Sequence, residues 1–302
     1  MDLKSLIASN ISTHSKSDNR PSTPRPKPEL PSIIGHIDHT LLKLDATVDQ
    51  IKSLCREARI LKFAAVCVRL EWVKLCAKFL VNTNIKIASV IDFHEGTASP
   101  NEKAYQAGWA VKDGARELDV VLNYPALKRG KGEYLVYEGV SAVRQAADEP
   151  IYDLHGEEIL KDRVLVKVII ETAQLSREQI IAACTIAKEA GADFVKTSTG
   201  LNGPGANVEN IRLMKAVVGE EVGVKASGGI RSVSDCMKMI EAGATRIGTS
   251  NGVGIVEEVG TLLEEETTGE ESHKKASMDT PNTKENPEAA VWEDLSETGE
   301  EY

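Results

Sequence analysis

The sequence predicts an α/β protein: a closed (β/α)8 TIM barrel with disordered N- and C-terminal tails. Three observations lead there. Eight short runs rich in Val, Ile and Leu alternate with amphipathic stretches of helical period along residues 31–262. The central runs are continuously apolar, as strands of a parallel sheet covered on both faces must be. No glycine fingerprint follows the first run, where an open dinucleotide-binding sheet would carry one. Eight strand–helix units over about 220 residues match the size of a closed barrel.

Residues 1–30 are rich in Ser, Pro, Lys and Asn. Pro21, Pro24, Pro26, Pro28 and Pro31 stiffen the later part, so this segment is expected to be disordered. The run at 33–38 opens the barrel and leads to a helix at 45–61. The next strands and helices fall at 64–68 and 71–81, at 85–91 and 101–114, and at 116–123 and 133–147. Residues 148–162 break the rhythm with Pro150 and mixed charges and read as a surface insertion. The pattern resumes at 164–171 with a helix at 177–190, at 193–198 with 208–218, and at 222–226 with 233–242, before a last strand at 246–249. Ser176 with Gln179 predicts a capped helix start. Ala-Gly-Ala at 190–192 and again at 242–244 predicts glycine helix stops. From residue 263 Glu, Thr, Ser and Lys take over, so 263–302 is expected to be a disordered acidic tail with an apolar side only at 289–295.

The formal net charge of −10 is unevenly placed over the 302 residues. From Glu257 onward 15 acidic side chains face 3 basic ones, which leaves the body close to neutral. With no basic stripe to neutralise phosphates, nucleic acid is not an expected partner. No apolar run reaches the roughly 18 residues of a membrane helix, and residues 1–30 lack a signal peptide's apolar core. No membrane association and a cytoplasmic location are therefore expected. Cys55, Cys67, Cys76, Cys184 and Cys236 contain no CxxC pair and sit among apolar neighbours. They read as buried thiols of a reducing compartment, and no metal site is signalled.

In such a barrel chemistry gathers at the C-terminal strand ends. Phe194 and Lys196 share one face of the strand in G-A-D-F-V-K-T-S-T-G (191–200), while Val195 takes the other. Lys196 therefore points into a core, where an ammonium is costly unless it is paired or neutral. It is either a nucleophile with a lowered pKa or a lysine snorkelling from a strand end. The other strand ends carry Asp38-His39-Thr40, Cys67, Asp92, Glu117 with Asp119, Lys167, Lys225 and Ser250. Glu117 and Asp119 share a face, as do Gly223 and Lys225, while Leu118, Val120, Val222 and Val224 point outward. Three lysines and two carboxylates thus converge on one interior, which favours the nucleophile.

That set suits a Schiff base. An unperturbed lysine, with a pKa near 10.4, is free amine about once in a thousand at neutral pH. Burial and a second ammonium lower the pKa, and Lys225 lies on the strand after that of Lys196. Asp119 is the candidate proton carrier. Ser227-Gly228-Gly229-Ile230-Arg231 and Gly248-Thr249-Ser250-Asn251-Gly252 follow the last two strands, where backbone N–H groups of this fold commonly cradle phosphate.

Six motifs carry a resemblance over about residues 33–256: Asp38-His39-Thr40-Leu41-Leu42, Ala65-Val66-Cys67-Val68, Glu117-Leu118-Asp119-Val120-Val121, Lys167-Val168-Ile169-Ile170-Glu171-Thr172, Phe194-Val195-Lys196-Thr197-Ser198-Thr199-Gly200, and Val224-Lys225-Ala226-Ser227-Gly228-Gly229-Ile230-Arg231. In order and content they resemble the deoxyribose-phosphate aldolases. The resemblance implies a class I aldolase without a cofactor. It would interconvert 2-deoxy-D-ribose 5-phosphate with acetaldehyde and D-glyceraldehyde 3-phosphate in deoxyribonucleoside catabolism. It implies Lys196 as the Schiff-base lysine, with Asp119 and Lys225 as proton-relay partners. The substrate-binding set is Asp38, Thr40, Cys67, Lys167, Thr199, Gly200, Gly228, Gly229, Arg231, Gly248 and Ser250, with Cys67 not a nucleophile of the main reaction. The expected partners are a phosphosugar and, as protein partner, a second copy in a homodimer.

The sequence departs from the family pattern at Leu201, where some members carry a lysine near the phosphate, and in a shorter Gly203-Pro204-Gly205-Ala206 loop. The insertion and the acidic tail also lie outside it. A transaldolase or keto-acid aldolase fits less well, because Asp119 is paired with two lysines on neighbouring strands. A catalytically silent binding barrel would not need every site residue.

Overall fold

The structure, a computed structural model, describes residues 2–16, 28–130, 132–151, 155 and 162–275, with side chains described as far as Glu265. Helix α1 (Leu3–His14) precedes the barrel. Then follow β1 (Ile37–Leu41), α2 (Val48–Leu61), β2 (Ala65–Val68), α3 (Val73–Phe79), β3 (Lys86–Ile91), α4 (Pro100–Lys112) and β4 (Glu117–Val121). The short α5 (Tyr124–Lys128) and α6 (Glu133–Asp148) lead to β5 (Leu165–Ile169), α7 (Arg177–Glu189), β6 (Phe194–Lys196), α8 (Val208–Val218), β7 (Gly223–Ser227), α9 (Val233–Ala242), β8 (Arg246–Thr249) and α10 (Gly252–Lys275). All eight strands are parallel and pair in chain order, and β8 closes on β1 through Asp38 opposite Gly248. The expected barrel is present. Residues up to Gly260 form one compact unit and those from Thr261 a second, whose residues 261–275 are helical backbone.

Local chemistry explains the divisions. Thr47 with Gln50, Ser99 with Glu102 and Ser176 with Gln179 form reciprocal capping boxes at the starts of α2, α4 and α7. Gly243 ends α9 at φ +119°, a conformation that costs a side-chain-bearing residue strain. Outward-facing Leu118, Val120, Val195, Val224 and Ile247 are fully buried under the helices. Each contributes about 1.5–3 kcal/mol of burial, an upper estimate. Inside, Cys67, Ala88 and Val90 form an apolar side with Leu42 and Phe93 packed on it. The other side of the interior is ionic.

The structure corrects three expectations and adds one element. The first strand is Ile37–Leu41, not 33–38: Leu30–His36 is a 3-10 turn begun by Pro31, and Ile33 is buried from that turn. Residues 3–14, expected to be disordered, form a helix capped by the Asp2 carboxylate, which accepts from Lys4 N and Ser5 N at 3.0 and 3.1 Å. That helix docks on α7: Ile7 is buried, Asn10 donates to Thr185 Oγ1 at 3.0 Å, and Arg177 donates to the carbonyls of His14 and Ser15. Residues 263–275, assigned to the tail, continue α10, because Val256, Val259 and Leu263 keep helical spacing among good helix formers. Helix α5 was not anticipated; Asn123 caps it by accepting from Ala126 N at 2.9 Å. The prolines at 21–26, most of the 148–162 insertion and the apolar segment at 289–295 lie outside the described residues.

Candidate active site

Strand register builds the floor of the site. Lys196 stands opposite Lys225 across β6–β7, Asp119 opposite Lys167 across β4–β5, and Lys225 opposite Arg246 across β7–β8. Inward parity then points all of these side chains at the barrel axis. Asp119 is the hub. Its Oδ2 accepts from Lys196 Nζ at 2.7 Å and from Lys225 Nζ at 2.7 Å, and its Oδ1 accepts from Lys167 Nζ at 2.6 Å. Lys225 also donates to Asp38, and Lys167 pairs with Glu117 at 2.6 Å. Arg246 closes the network beneath, its guanidinium bridging Asp38 Oδ1 (2.8 Å) and both Glu117 oxygens (2.9 and 3.0 Å). Two glycines make room: a Cβ on Gly248 would stand 3.1 Å from Lys225 Cε, and one on Gly223 2.3 Å from the Phe194 ring.

Burial alone would push the carboxyls up and the ammoniums down. For Asp119 the ammoniums of Lys167, Lys196 and Lys225 outweigh burial and hold its carboxyl well below the usual range. Lys225 and Arg246 do the same for Asp38, with Lys167 adding to them. Conversely, burial would lower Lys225, but Asp119 and Asp38 raise it; Asp119 and Glu117 likewise raise Lys167, and Asp38 and Glu117 raise Arg246. Three carboxylates thus face Lys167, Lys225 and Arg246, and these six charges cancel. Lys196 is the fourth cation in a cluster that balances without it. Cys67 Sγ lies 3.9 Å from Asp119 Oδ2, and burial, with the Asp119 charge, pushes its thiol up, which leaves little thiolate.

Above this floor opens a cavity of about 340 Å³. Lys196 reaches it from below. Its walls are Thr40, Leu41, Leu42, Lys43, Phe93, Thr199, Gly200, Leu201, Ser227, Gly228, Gly229, Ile230, Arg231, Gly248, Thr249 and Ser250. Gly200, Gly228 and Gly229 have φ of +86°, +85° and +79°, and a Cβ on Gly205 would stand 2.0 Å from the Gly228 carbonyl oxygen, so two glycine loops touch there. The backbone N–H groups of Gly200, Gly229 and Ser250 have no hydrogen-bond partner among the described residues. The Arg231 backbone is fixed by Asp235 and Asn251, while its guanidinium pairs with no carboxylate among them.

Of the residues expected from the sequence, Lys196, Thr40, Thr199, Gly200, Gly228, Gly229, Arg231, Gly248 and Ser250 line the cavity. Asp119, Lys225, Asp38, Lys167 and Cys67 lie beneath it, fully buried. Asp92, also a strand-end residue, belongs to the loop after β3: it accepts from Ala98 N at 2.9 Å and pairs with buried Lys103 at 3.1 Å. Sequence reasoning missed Arg246, whose inward parity with Gly248 was a usable signal. It also missed Lys43 and Phe93 on the wall, and the Glu171–Asn202 contacts behind it. Leu201, the departure near the expected phosphate site, is exposed at the rim. Among the described residues no group of three His, Cys, Asp or Glu side chains could hold a metal ion, and no helix is long and apolar enough to cross a membrane.

Comparison with known proteins places this arrangement. Residues 32–257 match the model of the DeoC/LacD family of aldolases. A deoxyribose-phosphate aldolase of Coccidioides immitis is 49% identical over 236 residues, covering 77% of this chain and 83% of the relative. One from Carboxydothermus hydrogenoformans is 51% identical over 221 residues, covering 73% and 92%. A solved structure from Coccidioides immitis superimposes with a TM-score of 0.76 at 44% identity, over 85% of this chain and 98% of its own.

Proposed function

The chain belongs to the DeoC/LacD aldolase family, and from that premise we propose that it is a deoxyribose-phosphate aldolase whose Schiff-base lysine is Lys196. It cleaves 2-deoxy-D-ribose 5-phosphate reversibly to acetaldehyde and D-glyceraldehyde 3-phosphate. One observation carries the residue assignment: Lys196 alone among the interior lysines lines the cavity, and its Nζ lies 2.7 Å from a carboxylate shared with Lys225.

The chemistry follows from that placement. As a neutral amine, Lys196 leaves the floor with balanced charge, and its nitrogen adds to the C1 aldehyde of the open-chain sugar. The carbinolamine hydroxyl leaves as water, taking a proton supplied through the Asp119–Lys225 pair, and a protonated imine remains. The C2–C3 bond then breaks. Its electron pair flows into the imine to give an enamine, and the C3 hydroxyl gives up its proton as glyceraldehyde 3-phosphate forms. Protonation of the enamine at C2 and hydrolysis of the imine release acetaldehyde and restore the amine. Asp119 is the station for these protons: it touches both nitrogens, and its basicity rises whenever charge leaves Lys196. Asp38, Lys167, Glu117 and Arg246 hold that station in place.

The phosphate sits at the glycine rim, on the free N–H groups of Gly200, Gly229 and Ser250 and the start of α10, with Arg231 and Lys43 as side-chain cations. We place the enzyme in the cytoplasm and assign it a homodimer. Sedimentation at one chain mass, or at more than two, overturns that assembly. The reading as a whole is tested by borohydride reduction in the presence of acetaldehyde. An ethyl group on Lys196 is expected; no adduct, or an adduct on another lysine, overturns it.

A further inference from the structure

The mechanism leaves one buried carboxylate unused. Glu171, two residues beyond β5, is 1% exposed, and no cation pairs with it among the described residues. An unpaired buried carboxylate is costly and persists only where hydrogen bonds satisfy it. All of those bonds come from the segment that forms the cavity wall after β6. Thr199 Oγ1 donates to Glu171 at 2.5 Å, Thr199 N lies 3.3 Å from both carboxylate oxygens, and Asn202 Nδ2 donates at 3.2 Å. Glu171 itself sits at φ +58°, an uncommon backbone conformation for a glutamate, which turns its side chain to this segment.

The pattern along the segment is selective. Glu171 takes the N–H of Thr199. Thr199 Oγ1, having donated its proton to Glu171, accepts the N–H of Leu201 at 3.2 Å. Between them Gly200 keeps its N–H unpartnered, at φ +86° on the cavity wall. Two of three successive amides are thus occupied and the middle one is left open. Asn202 ties the same segment to the rest of the rim through His94 O at 3.1 Å and Tyr124 Oη at 3.3 Å, while Gln174 donates to Asn202 O at 2.6 Å.

We propose that Glu171 is a positioning residue that, through Thr199, holds the Gly200 amide ready for the phosphate of the substrate. It touches no substrate atom. Its carboxylate would repel a nearby dianion, so a charge there is tolerable only because its oxygens are saturated by the segment they orient. The inference rests on the phosphosugar reading above and deepens it.

Glu171→Gln keeps the shape but turns a second acceptor into a donor that meets the Thr199 hydroxyl badly. The expected result is a roughly tenfold rise in KM for deoxyribose 5-phosphate with kcat at saturation retained, and an equal weakening of inorganic phosphate as a competitive inhibitor. Thr199→Val should weaken phosphate similarly and Thr199→Ser should restore it, since serine keeps the hydroxyl that joins Glu171 to Leu201 N. Unchanged phosphate inhibition in Glu171→Gln, or a loss of kcat with KM unchanged, overturns the proposal. Should Glu171→Gln fail to fold, the valine–serine pair decides alone: equal phosphate affinity in the two overturns the role. Acetaldehyde trapping on Lys196, run on the same preparations, separates the two claims. Trapping with unaltered phosphate affinity sinks only the role of Glu171, whereas absent trapping in the wild-type chain sinks the aldolase reading itself.

Discussion

The floor and the rim of the site are built in opposite ways. On the floor, side chains do the chemistry, and strand register fixes them: Asp119, Lys167, Lys196 and Lys225 come from three adjacent strand pairs and meet within 2.7 Å. On the rim, backbone amides do the binding, and contacts between loops fix them: Glu171, Asn202 and two touching glycine turns come from three different connections. The difference separates two kinetic roles. Changes in the floor should act on kcat and on folding, because they disturb charges buried at 0–3% exposure. Changes in the rim should act on KM for the phosphorylated sugar. A floor variant that altered only phosphate affinity would break this division.

The largest effect is expected at Lys196. Lys196→Met removes the amine that joins the cavity to the floor and leaves six charges that cancel, so the barrel should stay folded while cleavage and trapping vanish. Recovery of a trapped adduct on Lys167 or Lys225 in that variant would reassign the nucleophile. Lys225→Leu comes next. It deletes one of the two nitrogens on Asp119 Oδ2 and one partner of Asp38, and should cost about 10²–10⁴-fold in kcat, the usual worth of a positioned proton carrier. Arginine should rescue it poorly, since a planar guanidinium does not fit the space beside Gly248 that Lys225 Cε fills. Near wild-type kcat in Lys225→Leu would sink the relay.

A smaller effect of the floor appears in stability. The carboxyls of Asp38 and Asp119 are held below their unfolded value of roughly 3.9, so their stabilisation is complete above that value and is lost as pH falls through the folded one. Lys167 and Lys225 are raised above roughly 10.4, so theirs is complete below that value and is lost as pH rises through the folded one. Melting temperature should therefore hold a plateau between about pH 5 and pH 10 and fall on both sides. Asp38→Asn strips Lys225 and Arg246 of a partner. It should lower the plateau by about 3–5 kcal/mol of stability and flatten the acid limb. An acid limb of unchanged steepness would show that the buried carboxyls do not set it.

The floor was legible in the sequence and the rim only in outline, for a physical reason. Strand side chains alternate with period two, so Glu117, Asp119, Lys167, Lys196 and Lys225 could be placed on one face from spacing alone. Arg246 was open to the same argument. The rim depends on which loops touch, and period carries no such information: Glu171 was visible only as part of a motif, and Lys43, two residues past β1, had no signal beyond its place after Leu42. At the N-terminus, Leu3, Leu6, Ile7 and Ile11 have helical spacing, but serine- and lysine-rich composition hid a helix that is held by Arg177 on a distant element. The first strand was misplaced by about four residues because Ile33 and Ile34 read as strand, although Pro31 turns them into a 3-10 segment.

The smallest expected effect sharpens the division from the rim side. Leu201 supplies no charge where the sequence departs from the family pattern, so phosphate must draw side-chain charge from elsewhere on the wall. Apart from Lys196, Arg231 and Lys43 are the cations that line the cavity, and neither pairs with a carboxylate among the described residues. Both are exposed, so water screens them and each is worth less than a buried charge would be. A charged hydrogen bond contributes about 1.5–3 kcal/mol at most, or roughly tenfold in affinity for every 1.4 kcal/mol. Arg231→Ala should therefore raise KM for deoxyribose 5-phosphate by about tenfold, and Lys43→Ala by less, with kcat little changed in either. On unphosphorylated deoxyribose both losses should shrink towards nothing, and rising salt should erase more of the difference between wild type and the Arg231→Ala, Lys43→Ala double variant than it does for Glu171→Gln, whose effect is geometric. Equal losses on the two sugars would mean that the Arg231 side chain supports the loop after β7, whose backbone Asp235 and Asn251 hold in either variant, and does not meet the phosphate.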